Sequence, residues 1–419
     1  MDLQTQAVAY YVNVHLQTST IAPHVAQGLA ECVSFWSAGG DTCPMVDLAL
    51  TTVSLAVFAR IQRHPAAASI ASSKYHRLLQ LAQLRISSLA EHYVDGSLLT
   101  VFLMGRYEAL NLPQIRVDSQ TSFESLHSWS HHDGAMAVLS MWYETPGRKA
   151  ASLIIRNTRR DALRSCILRS RRVPDWLTDG EIFGETREEA HCDLLVVRIA
   201  NLYAETRLLQ RERQPQISRV LALSDEARDL DKSLVGWPET LPPSWSYQQH
   251  QIPGQEQTPK SHFYSSSVYS YSNHGIGAIW CQYFSTRMFL ASIRLKILNL
   301  NYPTPSFSLM YELQRLKCTN LINSMSAGLA ASIPFCLERF EFSPNACPIG
   351  DQDSIIVKAD KQVDPSLATL VVWPLGLGGS LPEVDPDYGQ WFKSQLAHLG
   401  RVTGAGVLEC AENQEWATL

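Results

Sequence analysis

Apolar residues along this chain recur mainly at steps of three and four. In "DLLVVRIANLYAETRLLQRER", Leu195, Ile199, Leu202, Thr206 and Leu209 follow one another at four, three, four and three. That lays one stripe along a helix and leaves Arg198, Glu205, Arg207 and Arg211 elsewhere on its surface. Residues 45–63, 71–93 and 97–110 carry similar stripes, and Ser72 or Ser73 stands where a side chain could cap the second of them. A fourth helix is predicted over "HGIGAIWCQYFSTRMFLASIRLKILNL", with Arg287, Arg294 and Lys296 toward its C-terminal half, where cations suit the helix dipole. Several of these segments are apolar on more than one face, which implies burial inside a stack of helices. Alternation of the strand type over more than five residues is hard to find.

Two stretches interrupt the pattern. Residues 223–275 are rich in Pro, Ser, Gln and Tyr, and Pro238, Pro242 and Pro243 forbid a continuous helix there. Their Trp and Tyr content predicts a segment packed on a surface, since such rings gain most by burial. Residues 343–366, "SPNACPIGDQDSIIVKADKQVDPS", read as a second irregular crossing. With no fixed-period repeat, the expected architecture is all-α: a single large helical domain over residues 1–419, crossed by two long irregular loops.

Composition narrows the choice of function. Thirty-five basic and 40 acidic side chains give a net charge of −5, so no overall positive field draws the chain to nucleic acid or to an anionic membrane. Any contact with DNA must come from a local patch or a partner. Nine cysteines, mostly within apolar segments such as "IPFCLERF", read as reduced, buried thiols in the nucleus or cytoplasm. C-x-x-C is absent, and with it the cysteine-based zinc modules that read DNA. The N-terminus lacks the basic segment and apolar core of a signal peptide. "MVDLALTTVSLAVFAR" is interrupted by Asp47, Thr51, Thr52 and Ser54 and falls short of the roughly 20 residues of a membrane span.

Candidate chemistry centres on "SWSHHDGAMAVLSMW", residues 128–142. His127 and His131 stand four apart on one helical face with Glu124 a turn earlier, a spacing used by helical zinc sites. The same residues also read as a helix start. Ser128 or Ser130 would cap it, Asp133 would meet the dipole in the first turn, and Ala135, Val138, Leu139 and Trp142 would point inward. The second reading accounts for every residue of the segment, so no metal ligands and no cofactor are assigned. His131 and Asp133 remain the candidate acid-base groups.

Between Arg148 and Arg172 lie eight arginines and one lysine, a phosphate-contacting patch or nuclear import signal on one reading. Arg156, Arg160 and Arg164 step by four beside an apolar side of Ile155, Ala162, Leu163, Cys166 and Ile167, which predicts a solvated helix face and no direct DNA-binding residues. "WPLGLGGSLP" lacks the spacing of a phosphate loop and reads as a helix-breaking turn. The acidic clusters "DLDKS" and "DPDYG" read as turns too. Trp280, Tyr283 and Phe284, with Trp373, are candidate walls of an apolar ligand pocket, or simply core.

Five segments, in order, resemble the regulatory domain of fungal zinc-cluster transcription factors: "LHSWSHHDGAMAVLSMW", "RRDALRSCILRSRRVPDWL", "LPPSWSYQ", "AIWCQYFSTRMFLASIRL", and "LVVWPLGLGG" followed by "WFKSQLAHLG". They extend from about residue 80 to the end. Two features depart from the family: Tyr143, Glu144 and Thr145 stand where an Arg-Gly is usual, and the six-cysteine DNA-binding module is missing. The resemblance implies an all-helical domain that receives effector or partner signals while DNA is read elsewhere. Here it implies a co-regulator of a fungal secondary-metabolite gene cluster that works through another protein, a DNA-binding regulator. The alternative is a scaffold turned to small-molecule binding or to cofactor-independent cyclisation or isomerisation of an apolar metabolite, since shape selection leaves no motif.

Overall fold

The computed structural model describes residues 2–16, 29–38, 43–85, 93–111, 129–185, 187–252, 260–301, 309–342, 355–358, 360–412 and 419. The fold is all-α. Helices run α1 Leu3–His15, α2 Leu29–Ala38, α3 Pro44–Ile61, α4 Pro65–Arg85, α5 Val94–Asn111, α6 Ser130–Glu144 and α7 Leu153–Leu168. They continue as α8 Arg187–Arg211, α9 Ile217–Gly236, α10 His274–Asn301, α11 Leu309–Cys336, α12 Pro365–Ser380, α13 Pro386–Thr403 and α14 Gly406–Glu409. Two short antiparallel pairs are the strands among the described residues. β1 Gln248–Gln251 faces β2 Ser267–Ser270 with Gln248 opposite Ser270, and β3 Phe340–Phe342 faces β4 Ile355–Val357 with Phe340 opposite Val357.

Side-chain caps set several starts. Asp2 accepts from the Thr5 amide ahead of α1, and Ser152 accepts from the Ile155 amide ahead of α7. Asp364 and Asp385, each followed by proline at the first helical position, cap α12 and α13. One apolar cluster extends from Ala7 to Leu419. Its axis is α10, which packs on α8, α9, α11 and α12, while α1, α3, α4 and α5 form the N-terminal layer. By length and composition α3 would also span a bilayer, but most of it is buried against its neighbours.

Several expectations are corrected. Residues 223–236 are the second half of α9, not loop: Ala227, Leu230 and Leu234 are buried at helical spacing, and the break comes only where Trp237 meets Pro238. "DLDKS" is therefore helical. Beyond it, residues 237–252 and 260–273 hold two short 3-10 turns and the β1–β2 pair. Residues 355–357 and 365–366 likewise belong to β4 and α12, while 343–354 lie outside the described residues. Ser72 and Ser73 fall inside α4, which starts at Pro65.

"WPLGLGGS" breaks nothing, since α12 runs through Pro374 to Ser380. Its glycines serve packing. A Cβ at Gly378 would stand 2.9 Å from the Phe392 ring of α13, and one at Gly379 would stand 3.3 Å from Lys393.

Candidate functional site

The first turn of α6 carries both candidate acid-base residues, and the structure sends them in different directions. Positions two apart on a helix differ by about 200° around the axis, so His131 and Asp133 cannot face one point. Trp129 occupies the cap position, with no side-chain hydrogen bond capping the helix, and Ser130 is the first helical residue. The expected serine cap at Ser130 is thus absent, and Ser128 lies outside the described residues. Asp133 stands in the first turn as expected, and Val138, Leu139 and Trp142 are buried. Ala135 is half-buried.

His131 enters a junction of α4, α5 and α6. Its Nε2 lies 2.9 Å from Oε1 of Glu108 and 3.2 Å from the Tyr75 hydroxyl. That hydroxyl donates to the same Glu108 oxygen at 2.6 Å. Burial, then the hydrogen bond and charge of Glu108, hold the Tyr75 phenol well above its ordinary value, so it stays protonated. With the Tyr75 proton directed at Glu108, the short contact of His131 requires a proton on Nε2. The ring of Tyr75 stacks on Tyr107 at 4.0 Å, which fixes the hydroxyl. His131 is 14% exposed and Glu108 35%, so the triad sits at the rim of the fold. Chemically it brings an imidazole, a phenol and a carboxylate within hydrogen-bond reach of one another.

Asp133 turns the other way. Its carboxylate takes two bonds from Arg169 at the end of α7, at 2.5 and 3.3 Å, and that guanidinium lies over the Trp129 ring at 5.2 Å. Asp133 is 57% exposed and acts as an interhelical clamp.

The proposed zinc partners Glu124 and His127 lie outside the described residues. Among the described residues, no three His, Cys, Asp or Glu stand together as a metal ligand set.

Three of the four aromatic candidates meet one another. Trp280, Tyr283 and Phe284 are buried against one another and against Trp237 and Tyr247, with Tyr283 stacked on Trp237 at 5.2 Å. Trp280 Nε1 donates to the Trp245 carbonyl at 2.7 Å. Trp373 lies under the Arg164 guanidinium at 5.6 Å.

The arginine-rich helix is also corrected in part. Arg159 is wholly buried and forks onto Asp193 at 2.7 and 2.6 Å, with its Nε donating to the Leu177 carbonyl at 2.8 Å. Its neighbour Arg160 forks onto the buried Glu185. Arg156 donates to the Gly184 carbonyl, and Arg164 reaches Asp161. Much of this run therefore ties α7 to residues 177–193, and it is not a plain solvated face.

Sequence reasoning did not single out Tyr75, Glu108, Asp193 or Glu185, since each meets its partner only through tertiary folding. Comparison with protein-family models, curated proteins and solved structures gives no match.

Proposed function

We propose that this chain is a transcription-factor-like regulatory protein that works through another protein, a DNA-binding regulator, in control of a fungal secondary-metabolite gene set. The ordered run of segments resembling fungal regulatory domains supplies the class. The observation that carries the reading is the use the fold makes of its ionisable groups: His131, Asp133, Arg159, Arg160 and Arg169 each bind a residue on a different segment. Bridges of this kind fix helix positions and present a set outer surface, as docking of a protein partner requires.

Fusing the chain to a heterologous DNA-binding module and measuring a reporter tests it. Expression above that of the module alone is expected, with loss of the gene set's transcripts when the chain is deleted. An unchanged reporter together with unchanged transcripts refutes it.

A second reading, a cyclase or isomerase built on the same scaffold, is favoured by one observation, the Tyr75–Glu108–His131 triad at the rim. It predicts turnover of the pathway's late intermediates by purified protein and loss of that turnover in His131→Ala. Transcripts that persist on deletion while one intermediate accumulates would support this reading over regulation.

A further inference from the structure

Past the end of α7 further arginines gather around a cleft of about 480 Å³, within the size range of small-molecule sites. Trp129 forms one wall, and Arg169, Ser170, Arg171, Arg172 and Arg211 form most of the rest. Four arginines are among the residues that line this opening, and no Asp or Glu is among them. They come from two directions: three follow α7, and Arg211 closes α8.

The turn that presents them is pinned. Ser170 adopts a left-handed backbone with φ of 50°, its amide donates to the Ile167 carbonyl at 3.0 Å, and the Arg171 amide donates to the Cys166 carbonyl at 2.9 Å. That pair of bonds closes the helix and turns residues 171 and 172 outward in a fixed direction. Arg169 is anchored by Asp133 and Trp129. Arg172 is 67% exposed and meets Glu205 only at 3.5 Å. A guanidinium carries five N–H donors, and one carboxylate fork occupies two of them, so these groups retain donors to offer inward.

We infer that this cleft binds a phosphorylated small molecule carrying two or more adjacent phosphates. A single carboxylate is satisfied by one guanidinium fork, whereas a diphosphate spreads several charges over many acceptor oxygens and uses forks from more than one side. The cleft's volume suits a compact anion, and the chain's net charge of −5 opposes wrapping by nucleic acid. The inference stands on the cleft alone and holds whether or not the chain regulates transcription.

The test is calorimetric titration of the intact protein with inorganic pyrophosphate and, separately, with ATP in the absence of divalent metal, using acetate as control. Both phosphates should bind, acetate should not, and the Arg171→Glu/Arg172→Glu double variant should weaken both at least about tenfold. Those two side chains are exposed, so thermal melting of the variant should match that of the parent. Three results would overturn the inference: no heat from either phosphate at about 1 mM, binding that the double variant leaves unchanged, or tighter binding of duplex DNA or polyglutamate than of pyrophosphate.

Discussion

Removing the Asp193 carboxylate should cost this protein more than any change at a surface ion pair. In Asp193→Ala the wholly buried Arg159 keeps its bond to the Leu177 carbonyl but loses both forked bonds, and its next carboxylate, Glu185, stands 3.8 Å away. Breaking one partner out of a buried pair costs about 3–5 kcal/mol, because the remaining charge stays desolvated. Glu185 retains some of the compensation, which places the loss near the lower end, at about 3 kcal/mol. Spread over the unfolding entropy of a chain this long, about 2 cal/mol/K per residue, that loss lowers the melting midpoint by about 3–4 °C.

Urea unfolding followed by tryptophan fluorescence, with thermal melts alongside, measures both quantities. Asp225→Ala is the control, since the Arg228–Asp225 pair is exposed on both sides, and its loss should stay under about 0.5 kcal/mol. Replacing both partners, Arg159→Met with Asp193→Leu, should recover much of the deficit, because the cost lies in the orphaned charge. An Asp193→Ala protein within about 1 kcal/mol of the parent would refute the reasoning.

Four further outcomes are expected. Tyr75→Phe removes the hydroxyl's two hydrogen bonds, to Glu108 and His131, while leaving the stack on Tyr107, and should lower stability in urea titrations by about 1–2 kcal/mol. His15 is buried, its Nε2 has no hydrogen-bond partner among the described residues, and burial, with the Arg106 charge adding to it, pushes its pKa from 6.5 down to about 4. The folded state then binds fewer protons than the unfolded state between those values, so stability should fall as pH drops through that window. The expected loss is about 2 kcal/mol from pH 7 to pH 5, and His15→Phe should flatten the slope. Ser170→Gly relieves a left-handed backbone and should stabilise by about 0.5–1 kcal/mol in thermal melts. Gly378→Ala forces a methyl to within 2.9 Å of Phe392 and should destabilise by about 1–3 kcal/mol in the same assay.

The helical architecture was legible because burial on several faces writes itself into local spacing: the stripe of Leu195, Ile199, Leu202 and Leu209 is buried in α8 as read. Proline misled in both directions. The prolines from Pro238 onward do end a helix, yet the reading carried that break back into residues 223–236, where Ala227, Leu230 and Leu234 keep helical spacing. The segment "WPLGLGGSLP" reads as a helix-breaking turn, yet α12 passes through its Pro374, because packing against α10 and α13 outweighs the local loss of one hydrogen bond. The candidate site was legible only in half. His131 and Asp133 were picked out by their clustering, but their divergence follows from helix geometry, and their partners are long-range. Tyr75 is 56 residues from His131, and Arg169 is 36 from Asp133.

The arginines of α7 show where a stricter reading would have gone further. Ile155, Arg159, Ala162 and Cys166 step at four, three and four, so Arg159 sits on the apolar stripe itself, not beside it. A cation at a core position must find an anion, because burying it alone is prohibitive. The spacing therefore demanded a carboxylate partner for Arg159 even though it could not name Asp193. The converse applies to Arg171 and Arg172. They follow the last helical turn, where no stripe holds them inward, and they keep their charge at the surface around a cleft. Position relative to the stripe thus divides one basic run into cross-links and contacts for a ligand, a division that composition alone hides.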